Sequence, residues 1–248
     1  MPEASTKQSW ALRANLWVLS LTRHWLRVAL VIIGVFATLP FVAPTLMKLG
    51  LTGPASLLYI LYSPLCHQFA FRSIFLYGEQ PFYPRAIANT PYIPYETYAL
   101  GLEELPEAKS ADDFSVSFWM PARAFVGNEQ MGYKTTLCAR DVAIYLALFS
   151  GGLIYAIPYV RRRLRPLPLW IYIIAGLGPI GLDGMSQLLS YEPFNWWPAR
   201  ETTPFFRIAT GAQFGLMNAW LIFPYLELSM LDARRDIEAK LRRAGFAA

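Results

Sequence analysis

The chain has 248 residues, of which 55% are hydrophobic and only 16% are charged, and its mean hydropathy is +0.31. A soluble domain usually has about 25% charged residues, so this composition leaves too few polar groups to cover a water-facing surface. The chain is therefore predicted to be an integral membrane protein. The net charge of +5 does not indicate a nucleic-acid partner, because the arginines of residues 161–165 directly follow an apolar run, as cytoplasmic loop charges do.

Four segments are long and apolar enough for transmembrane helices, which need about 20 mostly apolar residues. They are residues 28–47, 142–160, 167–190 and 205–226. The third of them qualifies only if Asp183 and Gln187, near its end, are accepted within the membrane. The predicted fold class is therefore all-α, a polytopic membrane protein with four transmembrane helices.

Basic residues set the expected orientation, because Lys and Arg near span ends favour the cytoplasm. Residues 1–27, residues 161–165 and the tail 231–248 together hold 13 of the 22 basic residues. Residues 79–137, in contrast, hold eight acidic residues and four basic ones. The protein is thus expected in the inner (plasma) membrane with both termini in the cytoplasm and residues 79–137 outside.

The stretch 54–77 has the length of a span but an unsuitable composition, since it includes Pro64, Cys66, His67, Gln68 and Arg72. Four crossings already return the chain to the cytoplasm, which leaves no room for a fifth. Residues 28–78 are therefore expected to form the first span and a re-entrant or interfacial helix on the outer side. Residues 138–230 would then supply the three-helix membrane part.

Two segments are expected to lie outside the bilayer. Residues 10–27 mix Trp and Leu with Arg, which is typical of an amphipathic helix on the cytoplasmic surface, although a simple extension of the first span is equally compatible. Residues 80–106 are rich in proline and tyrosine, so residues 79–137 are predicted to form a long, irregular external loop or a small cap. Loops of this length are usually functional or disordered, and the aromatic content favours an ordered one.

Cys66 and His67 are adjacent residues that can both bind a metal. Neighbours on a helix point about 100° apart, so both reach one centre only where the backbone is irregular, as Pro64 permits. They are candidates for a metal-ligand pair, or for one ligand with a hydrogen-bonding neighbour. The alternative is a small buried thiol beside a histidine that bonds to the backbone.

Cys138 and Asp141 are three residues apart at the mouth of a span, a spacing that places side chains on one helix face. A thiolate and a carboxylate can both bind zinc. Asp141 at a helix start is equally an ordinary cap for free backbone N–H groups.

Asp183 and Gln187 share one face of the third span, and an acidic residue at membrane depth suggests function. The alternative is an ion pair with Arg207 or Arg140 that holds the helices together. The orientation places these groups near the outer surface, where a polar cluster is expected beside the candidate ligands. Its predicted members are Gln68, Arg72, Arg140, Asp183, Gln187 and Arg207.

Four motifs, in order along the chain, resemble a family of bacterial and archaeal predicted membrane proteins, the domain of unknown function 2085. The family pattern is Cys-His-Gln followed by Arg, then Cys-x-Arg-Cys, Asp-Gly-x-x-Gln, and an arginine-containing stretch that ends in Thr-Gly. The matching residues are Cys66, His67, Gln68 and Arg72; Cys138 and Arg140; Asp183, Gly184 and Gln187; and Arg200, Arg207, Thr210 and Gly211. The resemblance covers roughly residues 28–78 and 134–226, with an insertion near 81–133.

The family residue types imply a zinc site, although the resemblance carries no assigned chemistry. A Cys-His pair and a Cys-x-x-Cys pair make a four-ligand set, which in this chain is Cys66, His67, Cys138 and Asp141. Asp141 replaces the family's second cysteine, which disfavours dithiol redox catalysis. The alternative is a Cys66–Cys138 disulfide that ties the re-entrant helix to the next span.

Two functions remain open from the sequence. The first is a non-catalytic accessory or structural subunit of a larger membrane complex, which docks through its external loop and helix faces. The second is a membrane-embedded zinc-binding protein or metal-dependent enzyme with its site at the outer surface. A transporter is disfavoured because the polar groups lie toward one side and no inverted repeat is visible. The expected partners are the lipid bilayer and other membrane protein subunits, not nucleic acid.

Overall fold

The computed structural model describes residues 2–99 and 113–246, with side chains from residue 10 onward. Its helices are α1 (Pro2–Lys48), α2 (Thr52–Tyr62), α3 (Tyr95–Ala99), α4 (Val116–Ala124), α5 (Ala139–Ala156), α6 (Pro158–Arg163), α7 (Leu169–Ile171), α8 (Gly178–Leu188) and α9 (Pro204–Arg243). A π-helical segment, Tyr172–Leu177, joins α7 to α8. The strands are β1 (Ser73–Leu76), β2 (Gly127–Asn128) and β3 (Gly132–Cys138).

Four helices within the described residues are long and apolar enough to cross a membrane. They are Trp10–Lys48, Ala139–Ala156, Leu169–Leu188 and Pro204–Arg243. Each contains or overlaps one predicted span, so the prediction of a mostly helical protein with four candidate membrane-spanning helices is confirmed. Residues 10–27 belong to the same continuous helix as the first span, and residues 231–243 of the predicted tail continue α9.

Helices α5 and α9 pack with their backbones in contact. A Cβ atom added to Gly211 would lie 2.5 Å from the backbone oxygen of Arg140, and one added to Gly215 would overlap the backbone oxygen of Ile144. Small residues at this spacing allow close approach of membrane helices, so Gly211 and Gly215 serve packing. Helix α1 completes this part of the bundle through Trp25, which lies in one apolar cluster with residues of α5 and α9.

The three basic regions meet at one end of the bundle, here named the basic end. Glu227 of α9 accepts hydrogen bonds from Arg161 (Nε–Oε2 3.0 Å) and from Trp25 (Nε1–Oε2 3.1 Å). Arg23 and Glu238 form an ion pair of 3.1 Å nearby. Residues 49–99, 113–138 and 189–203 lie at the opposite end, here named the cavity end, because the long helices alternate in direction.

Residues 69–99 and 113–138, which include the described part of the predicted loop, form a small folded unit on the cavity end. Its three strands form an antiparallel sheet in the order β1-β3-β2, with Phe75 opposite Lys134. Its aromatic side chains are buried in a core of their own, which includes Phe71, Phe75, Tyr83, Tyr95 and Phe118. The all-α prediction therefore misses a small sheet, and the irregular-loop prediction misses α3, α4, β2 and β3, whereas residues 79–94 contain no helix or strand apart from a 3₁₀ turn. Residues 100–112 of that loop lie outside the described residues.

Helix α2 is shorter than the helix expected over residues 54–77. It ends at Tyr62, two residues before Pro64, which has no backbone N–H to continue a helix. Residues 70–72 then form a 3₁₀ turn that leads into β1. At a rise of about 1.5 Å per residue, the helix spans about 16 Å, roughly half of the hydrocarbon core, so it does not cross a bilayer.

Candidate functional site

A cavity of about 670 Å³ lies at the cavity end, between the small folded unit and helices α5, α8 and α9. Nearly all the predicted site residues line it. They are Cys66, His67, Gln68, Arg72, Cys138, Arg140, Asp141, Gln187 and Arg207. Asp183, the remaining predicted member, contacts the wall through Arg140. The structure therefore brings together residues that are up to about 140 positions apart in the chain.

The loop that carries Cys66 is held by Gln68. Gln68 adopts a left-handed backbone conformation (φ 55°), and its side-chain Nε2 donates to the backbone oxygens of Tyr59 (3.0 Å) and Thr136 (2.8 Å). These bonds join the loop after α2 to strand β3. The backbone N–H of Cys138 donates to Cys66 Sγ at 3.2 Å, so the two cysteines meet where β3 passes into α5.

Three of the four predicted zinc ligands come together. The candidate ligand atoms of Cys66, Cys138 and Asp141 all lie within 4.8 Å of one another. The Cys138 thiol donates to Asp141 Oδ2 at 3.0 Å, and both cysteines are free thiols rather than a disulfide. His67 lies outside this group: its ring lies 5.3 Å from the ring of Phe69, centroid to centroid, and it lines the same cavity.

A buried lysine that the sequence did not single out supports the same loop. The Lys134 ammonium group is fully buried and donates to the backbone oxygens of Gln68 and Arg123, both at 2.6 Å. Burial lowers the pKa of Lys134 to about 7. The only signal in the sequence is a lone charge among the apolar and β-branched residues of β3.

Glu201 forms the first of two arginine–carboxylate–arginine groups beside the cavity. Its carboxylate accepts two bonds from Arg72, at 2.8 Å from Nε and 3.0 Å from Nη2, and a further bond from Arg207. The Tyr191 hydroxyl donates to it at 2.9 Å. Glu201 is absent from the predicted polar cluster. It lies in a short loop between spans, where an acidic residue is ordinarily solvated, so the sequence does not indicate its burial.

Asp183 forms the second group. It pairs with Arg140 of α5 and, at 3.0 Å, with Arg200, and the Thr202 hydroxyl donates to it at 2.9 Å. The predicted ion pair of Asp183 with Arg207 or Arg140 is therefore present with Arg140. Arg207 pairs with Glu201 instead and also donates to Gln187 Oε1 at 2.9 Å.

Acid is expected to weaken the fold through Glu201. Burial alone would raise the pKa of this carboxyl, but Arg72 and Arg207 outweigh burial and lower the pKa from 4.5 to about 2. A lowered pKa stabilises the folded state above pH 4.5, and this stabilisation, about 3 kcal/mol, is lost as the pH falls toward 2. Thermal unfolding of the detergent-purified protein between pH 7 and 3 measures the loss; a Glu201→Gln variant whose unfolding temperature falls as steeply as the wild type's below pH 4.5 would contradict it.

Comparison with known proteins finds a family that part of the chain resembles. Residues 120–221 match the profile of a family described as "Predicted membrane protein (DUF2085)". The matched residues include Cys138, Arg140, Asp183, Gln187 and Arg207. No curated protein and no solved structure matches the chain. Over residues 120–221 the chain is thus similar to the DUF2085 family of predicted membrane proteins, as its motifs indicated.

Proposed function

We propose that this protein is a membrane-anchored metal-binding protein, with one zinc ion held by Cys66, Cys138 and Asp141. The proposal is carried by the mutual approach of the three ligand atoms to within 4.8 Å. Zinc–sulfur bonds of about 2.3 Å and zinc–oxygen bonds of about 2.0–2.2 Å set ligand atoms about 3.5–4 Å apart around a tetrahedral ion. A small adjustment of the side chains is therefore sufficient to close the site.

The charge and softness of the donor set favour zinc. Two thiolates and one carboxylate carry three negative charges, which a divalent zinc ion reduces to one, and Arg140 lies in the same cavity wall. Thiolate donors favour zinc over magnesium or calcium, which prefer sets made only of oxygen. The hydrogen bond to Cys138 and burial raise the pKa of the Cys66 thiol, so binding of the metal would have to release its proton.

Three protein ligands leave a fourth position for water or for a bound molecule, as in catalytic zinc sites. The three ligands line the cavity, so a molecule bound there can approach the ion. A zinc ion held by these three residues would polarise an oxygen atom of a molecule bound in the fourth position. This supports the zinc-protein alternative from the sequence, with a ligand set reduced from four side chains to three.

The metal content of detergent-purified protein tests the site. We expect about one zinc per chain in the wild type and less than about a tenth of that in Cys66→Ser or Cys138→Ser, because each substitution removes one of three ligands. His67→Ala is the matched control and is expected to retain the ion, since His67 lies outside the ligand group. Zinc retained in Cys138→Ser, or lost only in His67→Ala, would contradict the proposal.

The proposed orientation places the cavity end outside the cell and the basic end in the cytoplasm. It is supported by the arginines of residues 161–165 and the basic residues of α1 and α9, which meet at the basic end. Helix α2 would then lie in the outer interface. Its Leu57, Ile60 and Leu61 side chains are 59–68% exposed, as is expected of a face covered by lipid.

The role of accessory subunit stays a prediction with less support. It relied on tyrosines of an exposed external loop, but Tyr83, Tyr95 and Tyr98 are buried in the core of the small folded unit. The remaining support is the length of α1 and α9, which reach beyond the bilayer and pack on each other through Leu19, Ile237 and Leu241.

A further inference from the structure

We propose that the same cavity contains a phosphate-binding site next to the metal donors, formed by Arg123, Arg140, Arg207 and Arg72. The site accepts the phosphate group of an amphipathic molecule. It does not require the metal, because none of the four arginines belongs to the metal-ligand group. Two features support the site: the hydrogen-bond and ion-pair partners of these arginines, and the apolar part of the cavity wall.

Arg123 is a half-buried cation without an acidic partner among the described residues. It lines the cavity from α4, and the one hydrogen bond that it makes there is from Nη2 to the backbone oxygen of Ser63, at 3.1 Å. A guanidinium group carries five N–H donors. Most of the donors of Arg123 are therefore available to a ligand, and its charge is not compensated by a neighbouring carboxylate.

The other three arginines keep an excess of positive charge. Glu201 is shared by Arg72 and Arg207, and Asp183 is shared by Arg140 and Arg200, so each group of three retains one net positive charge. Asp141 and Glu192 are the acidic residues in the cavity lining. Together with Arg123, the five arginines still outnumber by one the four acidic residues at the cavity, which are Asp141, Asp183, Glu192 and Glu201, so the cavity keeps a net positive charge.

Donors in the cavity wall also lack acceptors. Arg140 Nε and Gln187 Nε2 are enclosed and have no hydrogen-bond partner among the described residues. The orientation of the Gln187 amide is fixed, because its oxygen accepts from Arg207 at 2.9 Å and from Thr202 at 3.2 Å. A hydrogen bond from the Gln187 side chain helps to lower the pKa of Glu201, although Nε2 makes no hydrogen bond of regular geometry. Because Arg140 Nε and Gln187 Nε2 are enclosed, they would reach an acceptor in the cavity only after a small movement of their side chains.

The direction of the donors favours phosphate over carboxylate. The arginines reach the cavity from α4, α5, α9 and the turn before β1, so they approach a bound group from several sides. A tetrahedral phosphate presents three or more oxygens to such donors, and arginine pairs with phosphate by charge-assisted hydrogen bonds. The rest of the wall is apolar and includes Leu65, Phe114, Trp119 and Leu188, which suits a molecule with an apolar part.

The site is tested on the detergent-purified full-length protein after its metal has been removed with a chelator. The measurement is how far phosphate protects this protein against thermal unfolding. We expect sodium phosphate to raise the unfolding temperature above the value in sodium chloride at equal ionic strength. A short-chain phosphatidic acid is compared in parallel with the matching diacylglycerol, which has no phosphate. Protection by the lipid alone identifies a lipid phosphate as the ligand, and protection by inorganic phosphate identifies a soluble source; protection by neither overturns the proposal.

Two arginine variants make the test specific. Arg123→Gln is expected to weaken phosphate binding at least about tenfold, the usual loss for a hydrogen-bonded charge, whereas Arg123→Lys retains part of it. Arg162→Gln is the matched control: it makes the same change in charge at an exposed position of the basic end and leaves the affinity unchanged. Equal affinities in Arg123→Gln and Arg162→Gln would overturn the proposal. Since the measurement is made without metal, it does not depend on the zinc proposal.

Discussion

Replacement of Glu201 by glutamine is expected to destabilise the fold by about 3–5 kcal/mol, the usual loss when one partner of a buried ion pair is removed. The substitution keeps the size of the side chain but leaves Arg72 and Arg207 without their common counter-charge. Glu201 is 5% exposed and Arg207 is 5% exposed, so water does not replace the lost carboxylate. Chemical unfolding of the detergent-purified protein measures the change.

Glu192→Gln is the control for Glu201→Gln, because it makes the same change in charge at an exposed position nine residues earlier in the same connection. We expect its stability to stay within about 0.5 kcal/mol of the wild type, as is usual for a surface substitution. Equal stabilities of the two variants would show that the Arg72–Glu201–Arg207 group does not hold the cavity end together.

Substitution of Gly215 by alanine is expected to destabilise the bundle by about 3 kcal/mol, the upper part of the usual range for overpacking. A Cβ atom at this position would overlap the backbone oxygen of Ile144 and lie 2.8 Å from the Cβ of Ala147. Backbone atoms of α5 cannot move aside as a flexible side chain would, so α9 must shift away from α5. Thermal unfolding in detergent measures the loss.

The matched control for Gly215→Ala is Gly181→Ala in α8, where no atom lies within 4 Å of the added Cβ. Alanine favours a helix over glycine by up to about 1 kcal/mol, so this variant is expected to be as stable as the wild type or slightly more stable. A loss of stability in Gly181→Ala equal to that in Gly215→Ala would contradict the close packing of α5 and α9.

The membrane architecture could be predicted from the sequence, because four long apolar runs have few structural alternatives. The small folded unit could not. Its prolines and tyrosines resemble an irregular loop, and only the tertiary core shows that Tyr83 and Tyr95 are buried. The end of α2 at Tyr62, in contrast, agrees with a signal in the sequence, because Pro64 cannot continue a helix.

The candidate site was predictable where it depends on local spacing. Cys138 and Asp141, three residues apart at a helix start, lie together as expected. His67 does not join them, and nothing in its adjacency to Cys66 determines which side chain the irregular loop directs to the centre. The sequence allowed either Arg207 or Arg140 as the partner of Asp183, because an ion pair between distant segments depends on how the helices pack. Lys134 and Glu201 give no local signal of burial.

X-ray absorption at the zinc edge, on wild-type protein loaded with one zinc ion per chain, tests the account most directly. We expect two zinc–sulfur distances of about 2.3 Å and zinc–oxygen distances of about 2.0–2.2 Å. The oxygen ligands would come from Asp141 and from water or a bound molecule in the fourth position. A first shell without sulfur, or with a histidine nitrogen from His67 in place of one sulfur, would contradict the site formed by Cys66, Cys138 and Asp141.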